Sequence, residues 1–159
     1  MNASNSISTH DLSGTWRLAS AEGDHETIIS IPGDVHSALA SAGIIPEPYE
    51  GRNEEIVQWV AERDWVIERT FTLDHVDGDW YLDVDFLDTM AIVFVNGVPV
   101  LTADNCFRRY RPPSTASCRA RHGAHPFPFE HRGRRRAAGA SALPRRPGTR
   151  AIRRLRTAT

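Results

Sequence analysis

The sequence predicts an all-β fold: an incomplete jelly-roll β-sandwich with one or two short helices, followed by a disordered tail. Three observations carry that expectation. Runs of alternating apolar and polar residues recur as far as about residue 110, with the period of a strand. Turn signals such as Pro32-Gly33 and Asn96-Gly97 separate the runs. After about Arg111 both signals stop together.

Residues 1–10 are rich in Ser and Asn and read as a flexible lead-in. From Gly14 to Ala21, Trp16, Leu18 and Ser20 alternate with Thr15, Arg17 and Ala19, which predicts a strand. Glu26 to Ile31 is a second strand, closed at Pro32-Gly33. Asp34 is placed to cap a short helix that buries Val35, Leu39 and Ala42 and stops at Gly43. Pro46, Pro48 and Gly51 make the next stretch a loop. Asn53 is expected to cap a helical turn through Glu54–Trp59, with two acids at its positive end.

Beyond Asp64 the reading is β. Trp65, Ile67, Arg69, Phe71 and Leu73 alternate with their neighbours. Trp80, Leu82, Val84 and Phe86 are expected to point inward while Asp83 and Asp85 face water. Met90–Val95 is apolar on both faces, as suits a central strand. Asn96-Gly97 predicts a type I′ hairpin turn, and Pro99 marks the returning strand as an edge. About six strands fall short of the eight of a closed jelly roll, so an unpaired edge is expected around Met90–Leu101.

The charge is divided as sharply as the pattern. Residues 1–110 hold 6 Arg against 19 Asp and Glu, a net of −13, whereas residues 111–159 hold 13 Arg against Glu130 alone, a net of +12. Arg, Ala, Pro and Gly make up 32 of the last 49 residues, too few apolar groups to offset the entropy of ordering. Lysine is absent, a mark of a GC-rich gene. A change of reading frame near codon 111 accounts for these features together. The functional alternative is a basic nucleic-acid-binding tail, suggested by Arg134-Arg135-Arg136 and Arg153-Arg154. The domain boundaries are therefore set at 1–10, 11–111 and 112–159. The polar N-terminus carries no signal-peptide pattern, and no stretch is long and apolar enough to span a bilayer. With two cysteines, Cys106 and Cys118, a reducing cytoplasm is the expected compartment.

Several segments, taken in order, resemble one family. Asp11-Leu12-Ser13-Gly14-Thr15-Trp16 looks like the opening strand of the N-terminal domain of glycoside hydrolase family 2. Ile31-Pro32-Gly33-Asp34-Val35-His36-Ser37 and Ile45-Pro46-Glu47-Pro48-Tyr49 are similar to its β-mannosidase branch. Gly51-Arg52-Asn53-Glu54-Glu55, Trp59-Val60, Asp64-Trp65-Val66, Arg69-Thr70-Phe71 and Asp88-Thr89 continue the likeness. So do Val95-Asn96-Gly97 and Asp104 through Arg111. The resemblance implies a galactose-binding-like jelly roll that precedes immunoglobulin-like sandwich domains and a catalytic TIM barrel. It also implies removal of terminal β-linked mannose with retention, by two barrel glutamates whose carboxyl groups lie roughly 5 Å apart. The resemblance covers about 100 residues and no part of a barrel, so no catalytic residue is assigned and the chain alone is expected to be inactive. The implied partners are β-mannoside oligosaccharides and the following sandwich and barrel domains. No cofactor, metal, membrane or nucleic-acid partner is expected.

Asn53-Glu54 superficially resembles the family's acid/base pair, but it falls in the jelly-roll segment and helix capping explains it better. Asp83 and Asp85 share one face of a strand without the further ligands calcium requires. Cys118, His122, His125 and His131 lack the regular spacing of a zinc site. Trp16, Trp65 and Trp80 read as core. Trp59, beside the Tyr49–Asn53 loop, is the candidate for a substrate or interdomain contact, together with Tyr49, Arg52 and Asn53.

Overall fold

Alternating side chains leave each sheet with one apolar face, and two such faces closed on each other make the core. A computed structural model describes residues 7–73, 78–119, 129–133 and 154–158. The strands are β1 (Thr9–Asp11), β2 (Gly14–Ser20), β3 (Glu26–Ile31), β4 (Trp65–Arg69), β5 (Asp79–Asp83), β6 (Ala91–Val95), β7 (Val98–Ala103), β8 (Phe129–Gly133) and β9 (Arg154–Ala158). Three α-helices, α1 (Val35–Ser41), α2 (Asn53–Ile56) and α3 (Thr115–Arg119), and a 3-10 helix (Gln58–Glu62) complete the described elements. One sheet runs β3-β2-β4-β8-β6-β7 and the other β1-β9-β5, with every pairing antiparallel. Among the described residues no helix is long and apolar enough to cross a membrane.

The core joins both sheets. Leu18 of β2, Ile67 of β4 and Val93 of β6 belong to the same buried cluster as Trp80 and Leu82 of β5. Trp16, Trp65 and Trp80 are all buried, as their strands predict. Each fully buried leucine, such as Leu18 or Leu82, contributes about 1.5–3 kcal/mol through lost contact with water. Arg69 occupies an inward position on β4, where its guanidinium donates to the carbonyls of Leu12 at 3.3 Å and Ser13 at 2.5 Å. Those bonds satisfy a charge that burial would otherwise penalise.

The caps and turns largely follow the sequence. Asp34 accepts the backbone N–H of Ser37 at 2.9 Å at the start of α1. Ala38, not Ala42, joins Val35 and Leu39 in the core, because Ala42 is already the exposed C-cap. Asn96 and Gly97 take φ of 55° and 77°, the left-handed pair of a type I′ turn. β7 ends its sheet as an edge, with Val98 and Pro99 exposed. Phe86 is only half-buried while Leu87 is buried, so the inward alternation of β5 shifts by one residue after Asp85.

Other expectations are corrected. Asn53 is not the cap of α2: it is the first helical residue, and its amide donates to the Glu47 carbonyl at 2.9 Å. The expected turn to Trp59 divides into α2 and the 3-10 helix. Asp83 and Asp85 are not simply solvated, since Arg111 and Arg109 pair with them, each at 3.4 Å. Thr9 and His10, assigned to a flexible lead-in, lie in β1, and the His10 ring stacks on Phe71 at 5.2 Å. Residues 1–6 lie outside the described residues.

Regular structure also continues past residue 111. The carbonyls of Tyr110 and Pro112 accept the N–H groups of Val84 and Leu82 at 2.9 and 3.0 Å, so the chain runs antiparallel beside β5. Ser114, Ser117 and Cys118 are buried, and the Asn96 amide donates to the Ser117 carbonyl at 2.6 Å. Proline suits such a place because its fixed φ is extended and its carbonyl still accepts. Further on, β8 pairs with both β4 and β6, and β9 with both β1 and β5. β6 therefore has partners on both sides, where an unpaired edge was expected. Free backbone groups on two flanking strands template an extended segment whatever its side-chain pattern, which composition alone does not reveal. Residues 120–128, 134–153 and 159 of the expected tail lie outside the described residues.

Candidate functional site

The Tyr49 loop is built from successive turns. Glu50 N–H donates to the Glu47 carbonyl at 3.2 Å, and Asn53 N–H to the Glu50 carbonyl at 3.1 Å. With the Asn53 amide also on Glu47, the loop is clasped at its base. Tyr49 is left projecting, 84% exposed. Arg52 is exposed as well, and its guanidinium forks onto Glu55, with the closest contact at 2.8 Å. An exposed i,i+3 pair of this kind adds little stability but fixes the direction of the side chain.

Trp59 has a different setting. It is half-buried on the 3-10 helix, with the His25 ring centred 5.1 Å away and the Trp65 ring 6.3 Å away. The Arg63 guanidinium carbon lies 4.9 Å from the Trp59 ring centroid, a cation–π distance. Arg63 is held in turn by an ion pair with Asp24, which also accepts from the Ser20 hydroxyl at 2.7 Å. The Arg63 hydrogen bond, followed by that of Ser20, holds the Asp24 carboxyl down at about 2. The pairing of Ser20 with Trp65 and the 2.9 Å bond from Ala21 N–H to the Asp64 carbonyl bring these segments to one end of β2 and β4.

The four residues singled out in the sequence therefore divide. Asn53 braces the loop that carries Tyr49 and Arg52. Trp59 packs on His25, Arg63 and Trp65, so a sugar ring stacking on its cation-covered face would first have to displace Arg63. Tyr49 keeps an open aromatic ring, the usual means of holding a pyranose face. Asp24 and His25 were missed because only the pairing of β2 with β4 brings them to this corner, whereas Arg63, four residues beyond Trp59, lies within local reach of its ring.

A shallow depression of about 370 Å³ on the outer face of β2, β3 and β4 is lined by Thr15, Arg17, Ile28, Glu68 and Thr70, among others. Arg17 there is engaged by Glu26 at 2.7 Å and by Glu68, so its charge is already matched. Of the weak metal set, Cys118 is buried, and burial pushes its thiol up to about 11, which disfavours the thiolate that binds metal. His122 and His125 lie outside the described residues, and His131 lies within β8. Among the described residues no group of three or more His, Cys, Asp or Glu could hold a metal ion.

Comparison with known proteins gives a consistent result. Residues 16–146 match the family described as glycosyl hydrolase 2 galactose-binding domain-like. The chain is 36% identical over 102 residues to a probable β-mannosidase of Caenorhabditis elegans, a match covering 63% of this chain and 11% of that protein. It is also 36% identical over 102 residues to β-mannosidase of Bos taurus, covering 62% of this chain and 12% of that protein. The structure of β-D-mannosidase from Dictyoglomus thermophilum superposes with a TM-score of 0.70 at 25% identity, covering 79% of this chain and 15% of that one. The matched region thus spans about a tenth of the length of these curated relatives.

Proposed function

The chain belongs to the glycosyl hydrolase 2 galactose-binding domain-like family, and from that premise we propose that it serves as the non-catalytic, sugar-facing N-terminal domain of a β-mannosidase-type glycoside hydrolase. The parent activity is retaining hydrolysis of terminal β-mannosides. The observation that carries this reading is the run of 36% identity over 102 residues to named β-mannosidases. The parent's partners are then β-mannoside oligosaccharides and the following sandwich and barrel domains.

Retaining hydrolysis needs two carboxyl groups set about 5–5.5 Å apart across the scissile bond, one as nucleophile and one as acid/base. This reading assigns neither role to any residue of the chain. The purified chain is expected to leave an aryl β-mannoside uncleaved; turnover that co-purifies with the folded chain and exceeds a host-enzyme control would overturn the reading. The exposure of Tyr49 favours a second one, a carbohydrate-binding module that holds a mannoside without chemistry. Within either reading, Tyr49 and Arg52 are the contact residues and Asn53 positions them, while Trp59 contributes packing and a surface for a neighbouring domain.

Residues 112–159 are proposed to come from a shifted reading frame. The support is the change of net charge from −13 to +12 and the loss of alternation at the same point. Reading the gene around codon 111 in its other two frames is expected to restore a β-rich sequence that continues into a barrel with two glutamates. Stop codons throughout both frames would refute the proposal.

A further inference from the structure

Among the described residues Phe107 is the most exposed large apolar side chain, 93% open to solvent, yet the loop that carries it is firmly held. That loop runs from the end of β7 to Tyr110, whose backbone N–H and carbonyl pair with Val84 at 3.0 and 2.9 Å. The Tyr110 hydroxyl donates to the Asn105 carbonyl at 3.1 Å and accepts two longer bonds, from the N–H groups of Asp104 at 3.4 Å and Asn105 at 3.3 Å. The Asn105 side-chain oxygen accepts the Phe107 N–H at 2.9 Å. A ring held out in water adds nothing to the core and forgoes the gain of burial. Tyr49 is displayed in the same manner, on a loop clasped at its base.

The sheet register relates the two loops. Ser20 lies across from Trp65, Val66 and Ile92 both lie across from Arg132, and Ala91 lies across from Ala103. The Tyr49 loop leads through α2 and the 3-10 helix into Trp65, so its chain enters the six-stranded sheet at the end where the Phe107 loop leaves it. Trp65 and Ala103 stand three strand spacings apart, about 14 Å. The size of the open apolar surface decides what suits Phe107. A stable protein partner covers about 800 Å² on each side, whereas one aromatic side chain supplies about 150–250 Å². On the two loops at this end, residues 85–90 and 104–109, Met90 is the other exposed large apolar residue, while Asp104, Asn105 and Arg108 are exposed and polar. A ring face beside a carboxylate, an amide and a guanidinium matches a pyranose, which offers an apolar C–H face rimmed by hydroxyls.

We propose that the Phe107 loop is a second sugar-binding site, and that one β-mannoside oligosaccharide engages both Phe107 and Tyr49. This rests on the reading of the chain as a sugar-facing domain. Phe107 supplies the stacking face, Asn105 and Arg108 the hydrogen bonds to hydroxyls, and Tyr110 is a positioning residue that presets the loop.

The test titrates the full chain calorimetrically with β-linked mannotetraose and with methyl β-mannoside. Two linked contacts are expected to bind the tetraose at least about tenfold more tightly than the single sugar. Phe107→Ala and Phe107→Leu are each expected to weaken tetraose binding by about tenfold, while Phe107→Trp retains it, because leucine keeps apolar bulk without a ring face. These variants are expected to keep the wild-type melting temperature, since the side chain is exposed. Tyr110→Phe, which removes only the clasping hydroxyl, is expected to weaken the tetraose by about threefold and to leave methyl β-mannoside bound to Tyr49 unchanged. Unchanged tetraose binding in Phe107→Ala, together with its loss in Tyr49→Ala, overturns the second site and leaves the Tyr49 contact standing. Equal affinity for the tetraose and the single sugar overturns the shared occupancy. A wild-type chain that binds neither overturns this proposal and the sugar contact at Tyr49 alike.

Discussion

β8 and β9 stand in the same kind of place, each between two antiparallel neighbours, yet they suit those places unequally. β9 sets Leu155 across from buried Leu82 and Arg154 between two aspartates. β8 sets Phe129 across from buried Val95, but His131 across from buried Ile67 and Val93, and Glu130 across from Glu68. Both strands gain the backbone ladder; they differ in the residue types their registers set opposite the neighbouring strands. A position in a sheet is thus specified twice, by the free amides and carbonyls of the flanking strands and by the side chains those strands present. β2–β7 satisfy both specifications, and this is why their own sequence announces them.

The contrast is sharpest where an established strand meets one of the late strands. Leu82→Ala on β5 removes a fully buried side chain and is expected to cost about 2–5 kcal/mol in urea denaturation. Leu155→Ala, at the opposed position on β9, is expected to cost less than half as much. Equal costs would show that β9 is as integral to the core as β5, and would end the distinction between the two parts of the chain.

Charge at the register positions gives a smaller effect with opposite signs. Arg154→Ala removes the cation that the register sets across from Asp11 and Asp83, the latter also paired with Arg111, and is expected to lower stability by about 0.2–1 kcal/mol, whereas Glu130→Thr is expected to raise it by a similar amount. Two changes of the same sign, measured by thermal unfolding at low salt, would break the comparison between the two places.

The smallest effect lies at the Trp59 corner, wholly within the first part of the chain. Asp24 has its folded pKa depressed from 3.8 to about 2, chiefly by Arg63. Its contribution is therefore present above the ordinary carboxylate range and is lost as the pH falls through about 2. Tryptophan emission is expected to shift locally as Arg63 is released from Asp24 and its hold over the Trp59 ring loosens. Asp24→Asn is expected to remove that transition while leaving the fold intact. A transition centred near 4, or one that survives the substitution, would show that Asp24 does not hold Arg63.

The strands of the first part were legible because their burial is local. Alternation around Trp16, Ile67 and Leu82 announces which side of a strand turns from water, and the Asn96-Gly97 pair announces its turn through backbone sterics alone. Capping of α1 by Asp34 is legible for the same reason, since donor and acceptor lie within one turn. The candidate site was only partly so. Tyr49 and Arg52 stand exposed on a loop that its prolines and glycine mark, but the roles of Asn53 and Trp59 depend on contacts across the fold. The Asn53 amide is drawn back to the Glu47 carbonyl, and Trp59 is turned onto His25 and Trp65 by the pairing of β2 with β4.

By itself, then, the sequence determined the β class, the positions of the capped helix and the hairpin, the choice of core tryptophans and the family likeness. Each rests on periodicity, local sterics or the ordered run of motifs. Only the tertiary structure decided that residues 110–118 line β5, that β8 and β9 enter the middle of their sheets, that Arg109 and Arg111 pair with Asp85 and Asp83, and that Trp59 is covered while Tyr49 is open. These depend on which distant backbone edges and charges come to face one another. The free energy of such pairings belongs to two segments at once, so neither segment carries it alone in a readable pattern.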